Sequence, residues 1–491
     1  MASVTKPRGG SSLFATKPLS RILAESEGEH SLKRTLGASQ LVALGIGAII
    51  GAGLFSLTGI AAANHAGPAI TLAFVLAATG CAFAGLCYSE FSTMIPIAGS
   101  AYTYSYATMG ELLAWIIGWD LVLEYAVGAS TVAVSWSGYV ASLMKDFGVI
   151  LPPRLIASPF QAITLADGTV TTGLINLPAI IVVVLISWLL MTGIQESARA
   201  NTVVVVLKVA VVILFIIFGW AYIDPANYVP YIPESQGPGH FGWSGVVRAA
   251  GVVFFAFIGF DAVSTAAQET KNPQKHMPIG IIGSLVVCTL LYVLFAHVLT
   301  GIVNYKELDN AAPVATAIDR TGLVWLKTAI KVAIIAGYTS VILVMLLGQS
   351  RVFYSMSRDG LLPSVFSDIH PKWRTPWRSN MVFMVFVGAF AAFAPIQIVG
   401  EMTSIGTLFA FVLVCAGILV MRRTHPDLPR PFRTPFVPFI PILGILANLF
   451  LMFGLGLENW LRLFVWLIVG LGVYFGYSRH NSKLRNSPAT D

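Results

Sequence analysis

Leu41-Val-Ala-Leu-Gly45-Ile-Gly47-Ala-Ile-Ile-Gly51-Ala-Gly53-Leu-Phe55 decides how this chain is read. The surrounding stretch Leu41–Ala63 is apolar and long enough to span a bilayer, yet glycines cut it in the middle. In lipid every backbone N–H and C=O needs a partner, so a helix break at that depth is tolerated only where it faces protein or a wet cavity. A second interruption stands at Phe254-Phe-Ala-Phe-Ile-Gly259-Phe-Asp261. Broken helices near the midplane hold solute in secondary transporters. Two such breaks, each opening one half of a long apolar chain, point to a transporter.

Composition agrees. Of 491 residues 56% are hydrophobic and only 11% charged, with mean hydropathy +0.78, against roughly 25% charged in soluble chains. This predicts an all-α polytopic membrane protein with the lipid bilayer as its solvent. The polar, basic N-terminal segment predicts no cleavable signal peptide, the first apolar run being itself a span. Cys81, Cys87, Cys288 and Cys415 all fall in apolar segments without zinc or redox spacing and read as small buried hydrophobes. No cofactor motif is present. The net charge of +7 suggests an anionic partner, but the basic residues sit at alternate span ends, which excludes a nucleic-acid surface and fits the positive-inside pattern.

Twelve spans are expected, at roughly 40–64, 68–92, 108–141, 174–195, 199–222, 244–268, 278–302, 323–356, 379–396, 400–421, 436–456 and 460–478. With the N-terminus inside, 21 of the 30 Lys and Arg fall on cytoplasmic segments, seven outside, and Lys208 and Arg248 within spans. The cytoplasmic set includes Lys6, Arg8, Lys17, Arg21, Lys33 and Arg34, and later Arg351, Arg358, Arg422 and Arg430. Both termini are therefore expected in the cytoplasm of a multi-pass protein of the cell (plasma or inner) membrane. Spans 1 and 6 enter from opposite sides because five spans separate their starts, which makes an inverted repeat. The organisation expected is a cytoplasmic segment 1–39, repeat one over 40–222, repeat two over 244–421, two added spans over 436–478, and a mobile polar tail over 479–491. Between spans 7 and 8, Asp309–Thr321 reads as a short outer helix capping a vestibule.

Several residues carry chemistry. At the first break Gly45, Gly47, Gly51 and Gly53 let the chain leave helical geometry, freeing N–H groups from the following half-helix and carbonyls from the preceding one. Freed N–H groups suit a carboxylate and freed carbonyls an ammonium, and an α-amino acid carries both. The Gly47–Gly51 spacing equally suits close helix packing. A dinucleotide fingerprint is excluded, because the string has one residue too many and no strand before it. At the second break Phe255, Ala256 and Ile258 offer carbonyls, and Phe255, Phe257 and Phe260 can close over a ligand. Asp261 lies deep in span 6 and Glu124 near the middle of span 3, with Asp120 four residues before it; carboxylates at that depth are functional candidates. Lys208, about 13 Å from the cytoplasmic end of span 5 at 1.5 Å per residue, is a candidate proton carrier or a stand-in for a bound cation. Arg248 reads as an interfacial or outer-gate charge. His65 and His297 have no partner at metal-ligand spacing.

Taken in order, the motifs are recognisable. Gly45–Phe55, Ala84–Phe91, Pro96–Tyr106, Gly110-Glu-Leu112, Gly118–Tyr125, Phe254–Ser264, Glu269–Pro273, Gly348–Leu361 and His425–Pro429 together resemble the amino acid–polyamine–organocation (APC) superfamily. The likeness is to its cationic-amino-acid-transporter-like branch of bacterial permeases. The resemblance implies a LeuT-type five-plus-five inverted repeat with discontinuous helices 1 and 6 and two added helices. It implies an L-amino acid substrate carried without sodium, often with a proton. Carried over by position, the substrate carboxylate falls on the amides around Gly51, Ala52 and Gly53. The amine falls on the carbonyls of Ile49, Phe255, Ala256 and Ile258. Glu124 and Asp261 match acidic positions at or beside the site, Met345 a side-chain-pocket position, and Lys208 the lysine that stands where sodium-coupled relatives hold a cation. Many bacterial members carry threonine where this chain has Ala52, which widens the pocket, whereas bulky Met345 opposes a long cationic side chain. The expectation is a range of neutral and, by the Ala52 cue, cationic amino acids. An exchanger of amino acids or polyamines without net proton movement is the alternative; a channel is the alternative of another class. A membrane enzyme is excluded by the lack of an HExxH, nucleophile-elbow or paired His/Asp motif. A small membrane partner is left open.

Overall fold

The computed structural model describes residues 13–18, 36–95, 100–164, 168–193, 198–267 and 270–486. The basic residues Lys6, Arg8, Arg21, Lys33 and Arg34, the loop start Pro96–Gly99 and Glu269 lie outside these. Helices make up most of the described chain. They are α1 (Ala38–Ile49), α2 (Gly53–Met94), α3 (Ser100–Thr108), α4 (Glu111–Asp146), α5 (Leu177–Met191), α6 (Ala198–Gly219) and α7 (Gly242–Val253). They continue with α8 (Ala262–Thr265), α9 (Pro273–Ile302), α10 (Pro313–Arg320), α11 (Val324–Arg358), α12 (Trp377–Phe393), α13 (Ile396–Thr424), α14 (Phe439–Gly454) and α15 (Leu457–Val473). Seven helices are long and apolar enough to cross a membrane, and five further apolar helices are shorter.

The apolar stretches marked in the sequence are all helical, and the physical reason is visible in α5. Its core, Ile180-Ile-Val-Val-Val-Leu, is β-branched and would favour a strand in water. In lipid the helix satisfies every backbone group within the segment, and Asn176 supplies an N-cap by accepting from the Ala179 amide at 3.3 Å. The second half of the first expected span and the whole of the second form one continuous run, α2, bent at Gly67-Pro68, where Gly67 has φ +58°. Helices α4, α11 and α13 bury most of their surface, whereas α15 turns Phe464, Val465 and Ile468 outward. The irregular breaks lie among the buried elements, where neighbours can satisfy them.

Two features were not anticipated. Between α4 and α5 the chain forms a two-stranded antiparallel hairpin, β1 (Ala162–Thr164) and β2 (Val170–Thr172), with Ile163 opposite Thr171. At the end of α11 away from the termini, fully buried Lys331 pairs with Asp146 at 2.7 Å and Asp319 at 3.0 Å. This ties α4, α10 and α11 together. The capping helix read from Asp309–Thr321 is present as α10, with Pro313 at its first turn.

Both terminal segments meet at one end of the bundle. The Lys17 amide donates to the Tyr106 carbonyl at 3.0 Å, and Lys17 Nζ pairs with Asp359 at 2.9 Å. The Glu111 and Leu112 amides donate to Ala15 and Leu13. The expectation of a mobile tail is corrected through Asn486. There Ser478 donates to the Leu361 carbonyl at 2.6 Å, and Ser482 and Arg485 reach fully buried Glu111. The Glu111 carboxylate also accepts from Tyr474 at 2.9 Å and Tyr106 at 3.1 Å. Polar residues after a last span read as solvated, but one buried carboxylate with four donors gives them a partner.

Glu111→Gln replaces the anion that collects these donors. Because breaking a buried pair costs about 3–5 kcal/mol, the tail is expected to come loose. Limited trypsin digestion at Arg479, Lys483 and Arg485 should run at least several-fold faster than in the wild type, and equal rates would refute this clasp.

Candidate functional site

Helix α1 ends at Ile49, and Ile50 turns extended (φ −70°, ψ 109°) before the chain re-enters helix as a wide π-turn at Gly53–Leu57. Among the described residues none accepts from the Gly51, Ala52 or Gly53 amides. These three donors stand at the positive end of the following half-helix. The second interruption follows α7. A 3-10 turn at Phe254–Phe257 gives way to extended Ile258 (φ −59°, ψ 134°) and to Gly259, whose φ of +112° only glycine adopts without strain. Asp261 then starts α8.

The two breaks cross in backbone contact. A Cβ on Gly53 would lie 2.2 Å from Ala256 Cα, and one on Gly259 would lie 2.8 Å from the Ala48 carbonyl oxygen. Ile49, Gly51, Ala52 and Gly53 therefore share one neighbourhood with Phe255, Ala256 and Ile258, as the sequence reading proposed, and all are buried. Several of the freed carbonyls are already engaged. Tyr292 Oη stands 3.1 Å from the Ile49 carbonyl oxygen and 2.9 Å from that of Ala256. One hydroxyl proton serves one acceptor at a time, and each carbonyl keeps a second lone pair. The Phe255 carbonyl accepts from the Ile258 amide at 3.2 Å. Tyr292 was missed by the sequence reading; its one signal is a tyrosine in the middle of an apolar span, whose hydroxyl must find a partner.

Lys208, buried on α6, donates from Nζ to the Gly47 carbonyl at 2.9 Å, and its stem lies over Gly337 of α11. An ammonium thus meets a carbonyl left free where α1 stops. Glu124 lies in a π-turn, Leu123–Val127, within α4. It sits beside Asp261 and Thr407, with Asp120 also near. Among the described residues no ion pair includes Asp120 or Glu124, and Asp120 sits against Gly406 of α13. The structure therefore brings the acidic positions together on one side of the second break. Arg248 is elsewhere. It reaches Glu401 of α13 at 3.2 Å, and Glu401, which the sequence reading did not single out, also accepts from Asn459 at 2.6 Å.

The wall facing the first break is apolar. Val341 is the nearest neighbour of Gly51, 3.5 Å from where a Cβ would stand. One turn further along α11, Met345 Sδ lies 3.4 Å from the Cβ position of Gly128, next to the Thr403 methyl. On the side away from the termini, Ser56 Oγ lies 2.9 Å from Tyr338 Oη and donates to the Ala311 carbonyl at 2.7 Å. Tyr139 donates to the Phe55 carbonyl at 2.5 Å and accepts from the Val314 amide at 3.3 Å. These contacts cover the neighbourhood of the breaks on that side.

Gly259→Ala and Gly388→Ala make a matched test of the crossing. The first meets the Ala48 carbonyl and a positive φ, whereas no atom lies within 4 Å of the Cβ position of Gly388. Strain and overpacking of this kind cost about 1–3 kcal/mol. Gly259→Ala should therefore lower the melting temperature of the detergent-solubilised protein by several degrees while Gly388→Ala leaves it within a degree or raises it. Equal melting temperatures would contradict the crossing.

A model of the amino acid permease family matches residues 36–474. The chain is 47% identical over 474 residues to a branched-chain amino acid permease of Bacillus subtilis, covering 96% of this chain and 99% of that one. It is 44% identical, with the same coverage, to a methylthioribose transporter of Bacillus subtilis. A vacuolar cationic amino acid transporter of Arabidopsis thaliana is 36% identical over 82% of this chain and 66% of its own length.

Proposed function

The chain belongs to the amino acid permease family, and on that premise we propose that it carries neutral L-amino acids with aliphatic side chains across the cell membrane, without sodium and with a proton, by alternating access. In this reading the twelve apolar stretches are spans, both termini are cytoplasmic, and α1–α6 and α7–α13 form the two halves of a LeuT-type inverted repeat. The observation that carries the reading is the crossing of the two breaks. It leaves the Gly51, Ala52 and Gly53 amides without protein acceptors in a buried place that also holds carbonyls of Ile49, Ala256 and Ile258. Donors for a carboxylate and acceptors for an ammonium then stand within one neighbourhood, which suits a zwitterion.

The substrate's side chain would meet Val341, Met345 and Phe255. An aliphatic group buried there gains about 0.8 kcal/mol per CH2, whereas a guanidinium would lose its hydration without an ion-pair geometry supplied by that wall. The branched-chain permease among the relatives supports the same class. The cationic relatives supply the second reading, in which Glu124 and Asp261 receive a basic side chain. Sodium independence rests on Lys208, whose ammonium occupies the Gly47 carbonyl. Asp261 and Lys208 are the two candidates for the coupled proton, and Glu124 is the nearest further carboxylate.

The test is uptake into proteoliposomes of leucine, arginine and methylthioribose, with and without an inward proton gradient and with sodium absent. Leucine uptake raised by the gradient, at least about tenfold over arginine if the wall contributes about 1.4 kcal/mol, is the expected result. Leucine uptake seen only with amino acid preloaded inside would replace symport by exchange, and a sodium requirement would remove Lys208 from its cation-like place. Lys208→Ala is expected to cut gradient-driven uptake at least tenfold, since it withdraws a buried charge-assisted bond.

A further inference from the structure

The string Gly348–Leu361 was singled out in the sequence, yet its end takes no part in the site. Arg358 closes α11 there, and the turn that follows meets the C-terminal tail. A Cβ on Gly360, at φ +82°, would lie 2.2 Å from the Asn481 carbonyl oxygen, so tail and turn are in backbone contact. Between them lies a cleft of about 440 Å³. Arg358 and Lys483 contribute cations, Tyr354, Ser364 and Tyr477 hydroxyls, and Asn481 an amide; among the described residues no Asp or Glu lines it.

The neighbouring carboxylate is turned away. Asp359 is taken up by Lys17 at 2.9 Å and by Tyr102 at 2.8 Å, on the inner side of the turn. Arg358 lies over the Tyr354 ring, 6.0 Å from its centroid, which restrains the guanidinium plane. Among the described residues no carboxylate lies within ion-pair distance of Arg358. Ser357 Oγ lies 2.8 Å from the Pro363 carbonyl oxygen and 2.9 Å from Ser367 Oγ, which fixes the floor of the turn. A planar guanidinium, an ammonium and hydroxyl donors around one cleft match a phosphate group.

The cleft's position selects the carrier of that phosphate. The outward-facing apolar run Phe464, Val465, Ile468 and Phe475 leads along α15 to the cleft mouth. Acyl chains would lie on this run while the headgroup enters the cleft, at the membrane face that carries the termini. We propose that the cleft holds the phosphate of an anionic phospholipid, and that the lipid bridges the end of α11 to the C-terminal tail. This stands whatever solute the central site carries, because none of its residues belongs to that site.

The experiment uses the full chain in detergent micelles supplied with phosphatidylglycerol and phosphatidylcholine, read by native mass spectrometry. The wild type should retain phosphatidylglycerol in preference to phosphatidylcholine. The double variant Arg358→Gln/Lys483→Gln should lose that preference about tenfold, as expected for two lost charge-assisted contacts. Ser364→Asp, which puts a carboxylate into the cleft, should lose it as well, while Arg358→Lys keeps part of it. All three positions are exposed, so melting temperatures should stay near that of the wild type and separate lost binding from lost folding. Equal retention by the wild type and by both the double variant and Ser364→Asp would overturn the proposal. So would displacement of the lipid by millimolar inorganic phosphate, which would make the occupant a free anion.

Discussion

Everything in the centre of this molecule depends on two pieces of backbone touching where a side chain would not fit. Gly53 rests on Ala256 and Gly259 on the Ala48 carbonyl. A helix broken in an apolar interior has unpaired amides and carbonyls, each costly to bury. One break alone would need a polar cavity around it. Two breaks in contact share their solution, because Tyr292 stands within reach of the carbonyls of both Ile49 and Ala256, donating to one at a time, and Lys208 takes that of Gly47. The amides at Gly51, Ala52 and Gly53 are left over. The close contact thus concentrates the remaining polarity on one side of the crossing.

How much of this the sequence shows depends on whether the signal is local. The breaks are legible because glycines inside an apolar run have few other uses, and the helices because an apolar segment in lipid has few backbone options. Glu124, Asp261 and Lys208 stand out because ionisable groups at depth are costly. The partners of these residues are not legible. Likewise Tyr292 and Val341, which stand beside the breaks, and Glu401, which takes Arg248, look like ordinary members of their helices, and only the packing of α9, α11 and α13 gives them significance. The pairing of Lys331 with Asp146 and Asp319 joins three helices over long sequence separations, and no periodicity announces it. The docked tail was misread for the same reason. Ser482 and Arg485 look solvated until Glu111, more than 350 positions earlier, is placed beneath them, and Ser478 until it meets the Leu361 carbonyl.

The bundle is held differently at its two ends. At the end with the termini, buried Glu111 and half-buried Asp359 gather cations and hydroxyls, and such charge-assisted contacts are roughly twice as strong as neutral ones. At the other end, α10 meets the half-helix after the first break through neutral groups: Pro313 over Gly59, Ser56 on the Ala311 carbonyl, and Tyr139 between Phe55 and Val314. Neutral hydrogen bonds contribute only about 0.5–1.5 kcal/mol each. The strong contacts of α10 run instead to α4 and α11, through Lys331. Helix α10 is therefore tied more strongly to α4 and α11, and the weaker seam is the one between α10 and the start of α2. Under the transport mechanism proposed above, this seam, next to the half-helix that begins at Gly53, is the one that would part.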